Sequence, residues 1–81
     1  MNEFFITFGY GQHDEAHGSL AKCGTWITAV SENAARRIIS AVRGEKWCNS
    51  YSREEGAVLI ARFGIREIPF NEIGPQIGAN L

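Results

Sequence analysis

One stretch of the chain joins a strand pattern directly to a helix pattern: TWITAVSENAARRIISAVRG, residues 25–44. Residues 25–30 are rich in β-branched and aromatic side chains, which favour a strand. Ser31 then supplies a helix N-cap, apolar residues recur at helical spacing, and Gly44 supplies a C-terminal stop. The stretch therefore predicts a strand followed at once by an amphipathic helix over residues 31–43.

A second strand is predicted near the start of the chain, where residues 3–8 read EFFITF. Strict alternation places Phe4, Ile6 and Phe8 on one face, so the opposite face also carries an aromatic side chain, that of Phe5. The sixteen residues that follow, 9–24, contain four glycines and few large aliphatic residues. They predict a long loop or a loose hairpin, and loops of this length often carry function.

The remaining elements complete an α+β domain. We expect a strand over 46–51, a short helix or turn over 52–61 and a strand over 65–68. A small, mostly antiparallel sheet of three to four strands with one main helix packed on one face accounts for this order. Eighty-one residues suffice for one core, so we expect a single domain over 1–70 and a flexible tail over 71–81.

Composition and charge exclude several classes of protein. Hydrophobic residues make up 44% of the chain, as in folded domains, and the formal net charge of −1 does not suit a sequence-specific binder of duplex DNA. There is no apolar run of the roughly 20 residues that span a membrane, and no secretory signal pattern. We therefore expect a cytoplasmic protein in which Cys23 and Cys48 remain thiols.

Neither an enzyme nor a metalloprotein is expected. No serine lies in a nucleophile-elbow motif, and neither cysteine lies in a sequence context typical of a catalytic nucleophile. His13 and His17 are four residues apart, but nearby glycines leave too few residues for a helix that would hold a metal between them. We expect a solvated polar loop here, and we predict no metal and no cofactor.

The most suggestive loop segment is GYGQH, which follows the first strand. Its glycines would let backbone amides approach an anion or a nucleotide phosphate closely, although it lacks the spacing of a P-loop. A bend that carries the chain out of the sheet is the alternative interpretation. The candidate ligand-binding residues of this segment are Gly9, Tyr10, Gly11, Gln12 and His13.

Cationic and aromatic candidates come from the second half of the chain. Arg36, Arg37 and Arg43 give the helix and the residues after it a basic excess, which would suit an anionic ligand or an acidic partner, or else form a solvated face. Tyr51 joins Tyr10 as an aromatic side chain that could stack on a nucleobase.

Four segments resemble a family of short proteins encoded by phages and prophages. They are TFGYGQH at 7–13, SENAAR at 31–36, EKWCNSY at 45–51 and FGIREI at 63–68. The resemblance covers most of residues 4–68 and implies a phage or prophage context without implying a particular activity. The family's loop often has histidines two apart, whereas here they are four apart, which weakens a role assigned to both.

Two functions are compatible with these patterns. The first is a non-enzymatic protein that sequesters a small anionic, nucleotide-like ligand and thereby antagonises host defence. The alternative is a protein-contact inhibitor of a host defence complex, similar in role to an anti-CRISPR protein, that uses the basic helix face, the long loop and the tail. The sequence leaves open whether the chain forms a homo-oligomer.

Overall fold

The computed structural model describes residues 1–14 and 17–73, over which it contains a four-stranded sheet, a two-stranded hairpin and two α-helices. The elements in chain order are β1 (Asn2–Thr7), β2 (His13–Asp14), β3 (Gly18–Ser19), β4 (Cys23–Ala29), α1 (Glu32–Arg43), β5 (Asn49–Tyr51), α2 (Arg53–Phe63), β6 (Arg66–Glu67) and a final 3-10 turn (Phe70–Glu72). The predicted α+β class is therefore confirmed.

The main sheet has the strand order β5-β1-β4-β6 and is mixed. β1 pairs antiparallel with both of its neighbours, whereas β6 pairs parallel with β4. The two crossovers, β4-α1-β5 and β5-α2-β6, run in opposite directions across the sheet. Because such crossovers are right-handed, the two helices are expected on opposite faces, and their contacts below place them there.

The first face of the sheet packs against α1 and forms the main core. Ser31 caps this helix by accepting a hydrogen bond from the Ala34 amide at 3.1 Å, and Gly44 ends it with a φ of 62°. Ala35 and Ile39 of the helix are fully buried against β1 and β4 side chains. The core also contains Ile6, Phe8, Leu20, Cys23, Ile27, Ala29, Ile68 and Ile73.

The second face packs against α2, which is longer than the short helix or turn expected from the sequence. Ser52 and Glu55 form a reciprocal capping box that starts it. Gly56 faces the sheet: a Cβ placed there would lie 2.6 Å from Cβ of Phe5 and 2.9 Å from Cη2 of Trp26. Phe5 and Trp26 are cross-strand partners whose ring centroids lie 4.9 Å apart. The glycine therefore lets the helix lie close to this aromatic pair.

The packed region extends past the predicted domain limit at residue 70. The Glu72 amide donates to the Pro69 carbonyl and the Ile73 amide to the Phe70 carbonyl. The Ile73 side chain is buried in the main core. The remainder of the predicted tail, residues 74–81, lies outside the described residues. Within the described part of the chain, neither helix is long and apolar enough to cross a membrane.

Candidate functional site

A cavity of about 300 Å³ opens where the C-terminal half of α2 overhangs the end of the sheet. Apolar and aromatic side chains form most of its wall, and Lys22 and Thr7 contribute polar atoms. This volume is at the lower end of the range found for small-molecule sites. The residues that line it are Thr7, Gly9, Tyr10, Lys22, Cys23, Tyr51, Leu59, Phe63 and Ile65.

Three of the predicted ligand-binding residues meet in this cavity. Gly9 follows β1 with a φ of +75°, a conformation that favours glycine, and Tyr10 is 81% exposed beside it. Tyr51 reaches the cavity from β5, which pairs with β1 in the register Phe5 to Tyr51. Strand pairing therefore brings together two tyrosines that are forty-one positions apart in the sequence.

Lys22 is the cation of the cavity, and its backbone is strained. It has a φ of 59°, the only positive φ of a non-glycine residue among those described. The Cys23 amide donates to the Leu20 carbonyl at 3.0 Å, so Lys22 occupies the third position of a tight turn, where a positive φ usually selects glycine or asparagine. Strain of this kind costs about 1–2 kcal/mol and is frequent at functional sites.

Cys23 lies in the cavity wall directly after Lys22. Burial raises the pKa of its thiol, and the positive charge of Arg66 on the paired strand β6 offsets this effect in part. The thiol donates to the Ala21 carbonyl at 3.6 Å. The cavity wall therefore contains a thiol with a raised pKa, on which the positive charge of Arg66 acts from β6. Cys48, like Cys23, is a free cysteine, but it is exposed.

Gly11, Gln12 and His13 do not line the cavity. Gly11 has a φ of +82° and is exposed, while Gln12 and His13 lead into the β2–β3 hairpin. The Gln12 carbonyl accepts from the Leu20 amide at 2.8 Å, and the His13 carbonyl accepts from Arg43. Hydrogen bonds of the Gln12 and His13 carbonyls hold the loop in place. Of the GYGQH segment, Gly9 and Tyr10 therefore line the cavity, whereas Gln12 and His13 belong to the hairpin region.

Arg36 and Arg37 lie on α1 and are separated from the cavity by the sheet. With Asn33, Ser40 and Trp47 they surround a shallow hollow of about 340 Å³. The Arg36 guanidinium lies 5.2 Å from the centroid of the Trp47 ring. Arg36 and Arg37, predicted as cationic ligand-binding residues, therefore lie away from the glycine loop, because the helix that carries them covers the other face.

Arg43 is not a surface residue available to a ligand, because it is only 2% exposed. Its Nε donates to the Lys46 carbonyl and its Nη2 to the His13 carbonyl, each at 2.9 Å, and the guanidinium lies 5.3 Å from the centroid of the Phe8 ring. Burial lowers the pKa of Arg43, and the Asp14 carboxylate partly offsets this effect. Arg43 therefore fastens the hairpin to the end of α1.

Asp14 and His17 make contacts within the fold, unlike the solvated polar loop expected from the sequence. Asp14 is 2% exposed and accepts from the His17 amide at 3.0 Å. Nδ1 of His17 lies 3.0 Å from an Arg66 nitrogen, which can only donate, and Nε2 of His17 lies 3.3 Å from the Glu72 carboxylate. Across residues 1–14 and 17–73, no three His, Cys, Asp or Glu side chains are grouped to hold a metal.

Sequence reasoning missed Lys22 and the apolar wall formed by Leu59, Phe63 and Ile65. Lysine at the third position of this turn is atypical, so no turn motif pointed to it. Leu59 and Phe63 are spaced i, i+4 and would have indicated one helical face if residues 52–61 had been read as the start of a full helix.

Comparison with known proteins does not extend these observations. No protein-family model matches the chain, and neither a curated protein nor a solved structure matches it significantly.

Proposed function

We propose that the protein binds a small ligand that joins a flat, largely apolar group to an anionic group, and that it binds this ligand without catalysis. The observation that carries the proposal is the cavity in which Gly9, Tyr10, Tyr51 and Lys22 meet. A nucleotide has both required parts, and it is the ligand class that we infer.

The apolar part of the ligand would be held by the aromatic and aliphatic wall. Tyr10 and Tyr51 present rings to which a nucleobase can stack, and each such contact contributes about 1–3 kcal/mol. Leu59 and Phe63 of α2 provide the apolar surface of the opposite wall. Phe63 is 58% exposed and Tyr10 is 81% exposed, so a bound base would cover apolar area that is now in water.

The anionic part would be held by Lys22. Among the described residues no carboxylate lies within salt-bridge distance of its ammonium, so the charge is available to a phosphate. The neighbouring Gly9 has no side chain that would block approach to the backbone. The positive charge of Arg66, which acts on Cys23 in the cavity wall, adds to the attraction.

The chemistry of the cavity favours binding over nucleophilic catalysis. Cys23 is the one cysteine in its wall, and burial raises the pKa of that thiol. A raised pKa lowers the fraction of thiolate, which is the reactive form.

The resemblance to phage and prophage proteins suggests a purpose for such binding. A protein that holds a nucleotide without converting it removes that nucleotide from solution when the protein is in excess. We propose that this chain acts in the cytoplasm of the host cell by sequestering a nucleotide signal of host defence.

The experiment is a thermal-shift screen with mono-, di- and cyclic nucleotides, followed by calorimetric titration. A ligand at 100 times its Kd should stabilise the fold by about 2.7 kcal/mol, which corresponds to several degrees in a domain of this size. Lys22→Met should weaken binding about tenfold or more, because it removes a charge-assisted hydrogen bond. Arg37→Met, which removes a charge on the other face of the sheet, should bind normally.

Lys22→Gly separates the binding role of this residue from its structural role. Glycine adopts the positive φ without strain, so this variant should unfold with a free energy about 1 kcal/mol above that of Lys22→Met, while it binds equally weakly. Chemical denaturation with circular dichroism measures the difference. Nucleotide affinity unchanged in both Lys22 variants, or no shift with any nucleotide, would contradict the proposed function.

A second candidate function is favoured by the hollow around Arg36, Arg37 and Trp47. This surface, with exposed Arg36 and Arg37 beside half-buried Trp47, lies on the opposite face from the cavity and suits an acidic surface of a host defence protein. Under this alternative, Arg36→Glu with Arg37→Glu should abolish inhibition of host defence in infected cells, and Lys22→Met should not. The proposed nucleotide function predicts the opposite pattern.

A further inference from the structure

The outer face of α2 carries an apolar residue between two opposite charges. Glu54, Val58 and Arg62 are spaced at i, i+4 and i+8, so they lie in one row along the helix. All three are exposed, and 56% of the Val58 surface is accessible to water. Ala57 and Ala61 are also exposed. Their small side chains do not project far from the helix beside the row.

Neither charge of this row is neutralised within the described part of the chain. Salt bridges found there include those of His17 with Glu72 and of Arg53 with Glu3, and none involves Glu54 or Arg62. The neighbouring Glu55 is occupied in the capping box. The row thus presents a free carboxylate near the start of the helix and a free guanidinium near its end.

The charges of this row are complementary to those of a second copy of the same row that runs in the opposite direction. Glu54 and Arg62 are each four residues from Val58, which corresponds to about 6 Å along the helix axis on either side. If a second copy of α2 lies antiparallel with its Val58 opposite this one, each carboxylate faces a guanidinium of the other copy. A parallel arrangement would instead place like charges together.

We propose that a second copy of this chain binds here, through an antiparallel pair of α2 helices with the two-fold axis at Val58. Small alanines flank the axis and allow the helices to approach to the 8–10 Å typical of close packing. A hollow of about 360 Å³, lined by Tyr51, Glu54, Glu55, Val58 and Leu59, adjoins the row and receives side chains of the second copy. Such a two-fold interface uses the same patch on both copies.

The dimer interface and the proposed nucleotide cavity share Tyr51 and Leu59, but different residues test each of them. The cavity is bounded by Leu59 and Phe63, which are one helical position beyond Val58 and Arg62 and lie on a different row. Lys22 lies outside the hollow beside the row, and Glu54 and Arg62 do not line the cavity, so the two proposals can fail separately.

The experiment is sedimentation equilibrium over a wide range of concentration, without added ligand. The wild-type chain should be dimeric at the higher concentrations. Glu54→Arg alone and Arg62→Glu alone should each raise the dimer Kd at least about tenfold, since each places like charges opposite each other at both ends of the helix pair. Arg37→Glu on α1 makes the same charge change away from the interface and should leave the Kd unchanged.

Mixing the two single variants provides the sharper test. In a mixed dimer each arginine of one chain faces a glutamate of the other, so an equimolar mixture should recover dimers that neither variant forms alone. Circular dichroism melts of each variant verify that α2 is folded. A wild-type chain that stays monomeric overturns the proposal, as does a dimer whose Kd is insensitive to both charge reversals.

Discussion

A Gly24→Ala variant is expected to lose a large part of its folding stability, about 3 kcal/mol or more. Gly24 lies in β4, opposite Thr7 of β1 and next to Glu67 of β6, so strands flank it on both sides. A Cβ on Gly24 would lie 2.6 Å from Cε2 of Phe5 and 2.8 Å from the Ile6 carbonyl oxygen. Both distances are shorter than Cβ contacts in folded proteins.

Neither group that an added Cβ on Gly24 would contact can move away at low energetic cost. Phe5 is fully buried, and its ring is held on the other side by Gly56 of α2 and by Trp26. The Ile6 carbonyl belongs to the central strand of the sheet and cannot move without breaking strand pairing. Overpacking costs about 1–3 kcal/mol or more, and a domain of this size has about 4–12 kcal/mol in total.

Gly18→Ala is the matched control for this prediction. Gly18 has a φ of +72°, but a Cβ there would meet nothing within 4 Å. Only backbone strain of about 1–2 kcal/mol is expected. Urea denaturation followed by circular dichroism should show a much lower midpoint for Gly24→Ala than for Gly18→Ala. Equal midpoints would show that Phe5 does not pack over Gly24 as described.

Arg43→Ala is expected to destabilise the fold by about 3–5 kcal/mol, because it leaves the buried carboxylate of Asp14 without its cation. It also removes the donors to the His13 and Lys46 carbonyls, which hold the hairpin and the loop after α1. Arg37→Ala, on the exposed side of the same helix, should change stability by less than about 0.5 kcal/mol. Thermal and urea melts measure both.

A double-mutant cycle isolates the role of charge at Arg43. Asp14→Asn keeps an oxygen that can accept from the His17 amide but removes the negative charge. The double variant Arg43→Met with Asp14→Asn should therefore be more stable than Arg43→Met alone. Additive losses would show that the two side chains are not coupled. A stable Arg43→Ala variant that no longer binds nucleotide would return Arg43 to the ligand-binding role that the sequence suggested.

The candidate site was only partly predictable from the sequence. Local sequence patterns indicate which residues lie in strands and loops, but not which distant residues meet in the folded chain. Gly9, Tyr10 and Tyr51 were identified from composition and strand patterns, and pairing of β5 with β1 brings them together. The choice of cation was not predictable, because proximity in the sequence favoured the arginines of α1. The sheet places those arginines on its other face, and the turn before β4 supplies Lys22 instead.

The sequence by itself determined those helices and strands that are specified by patterns of a few neighbouring residues. Alternation along β1, the Ser31 cap and the Gly44 stop depend on neighbours within one turn or one pleat, so the α+β class and the bounds of α1 could be predicted. Tertiary structure alone decided which side chains are buried and which face the cavity. Arg43 is buried where a hairpin thirty residues away supplies the His13 carbonyl as an acceptor, and α2 packs closely because Gly56 meets Phe5. Such contacts join residues distant in sequence, and local patterns do not encode them.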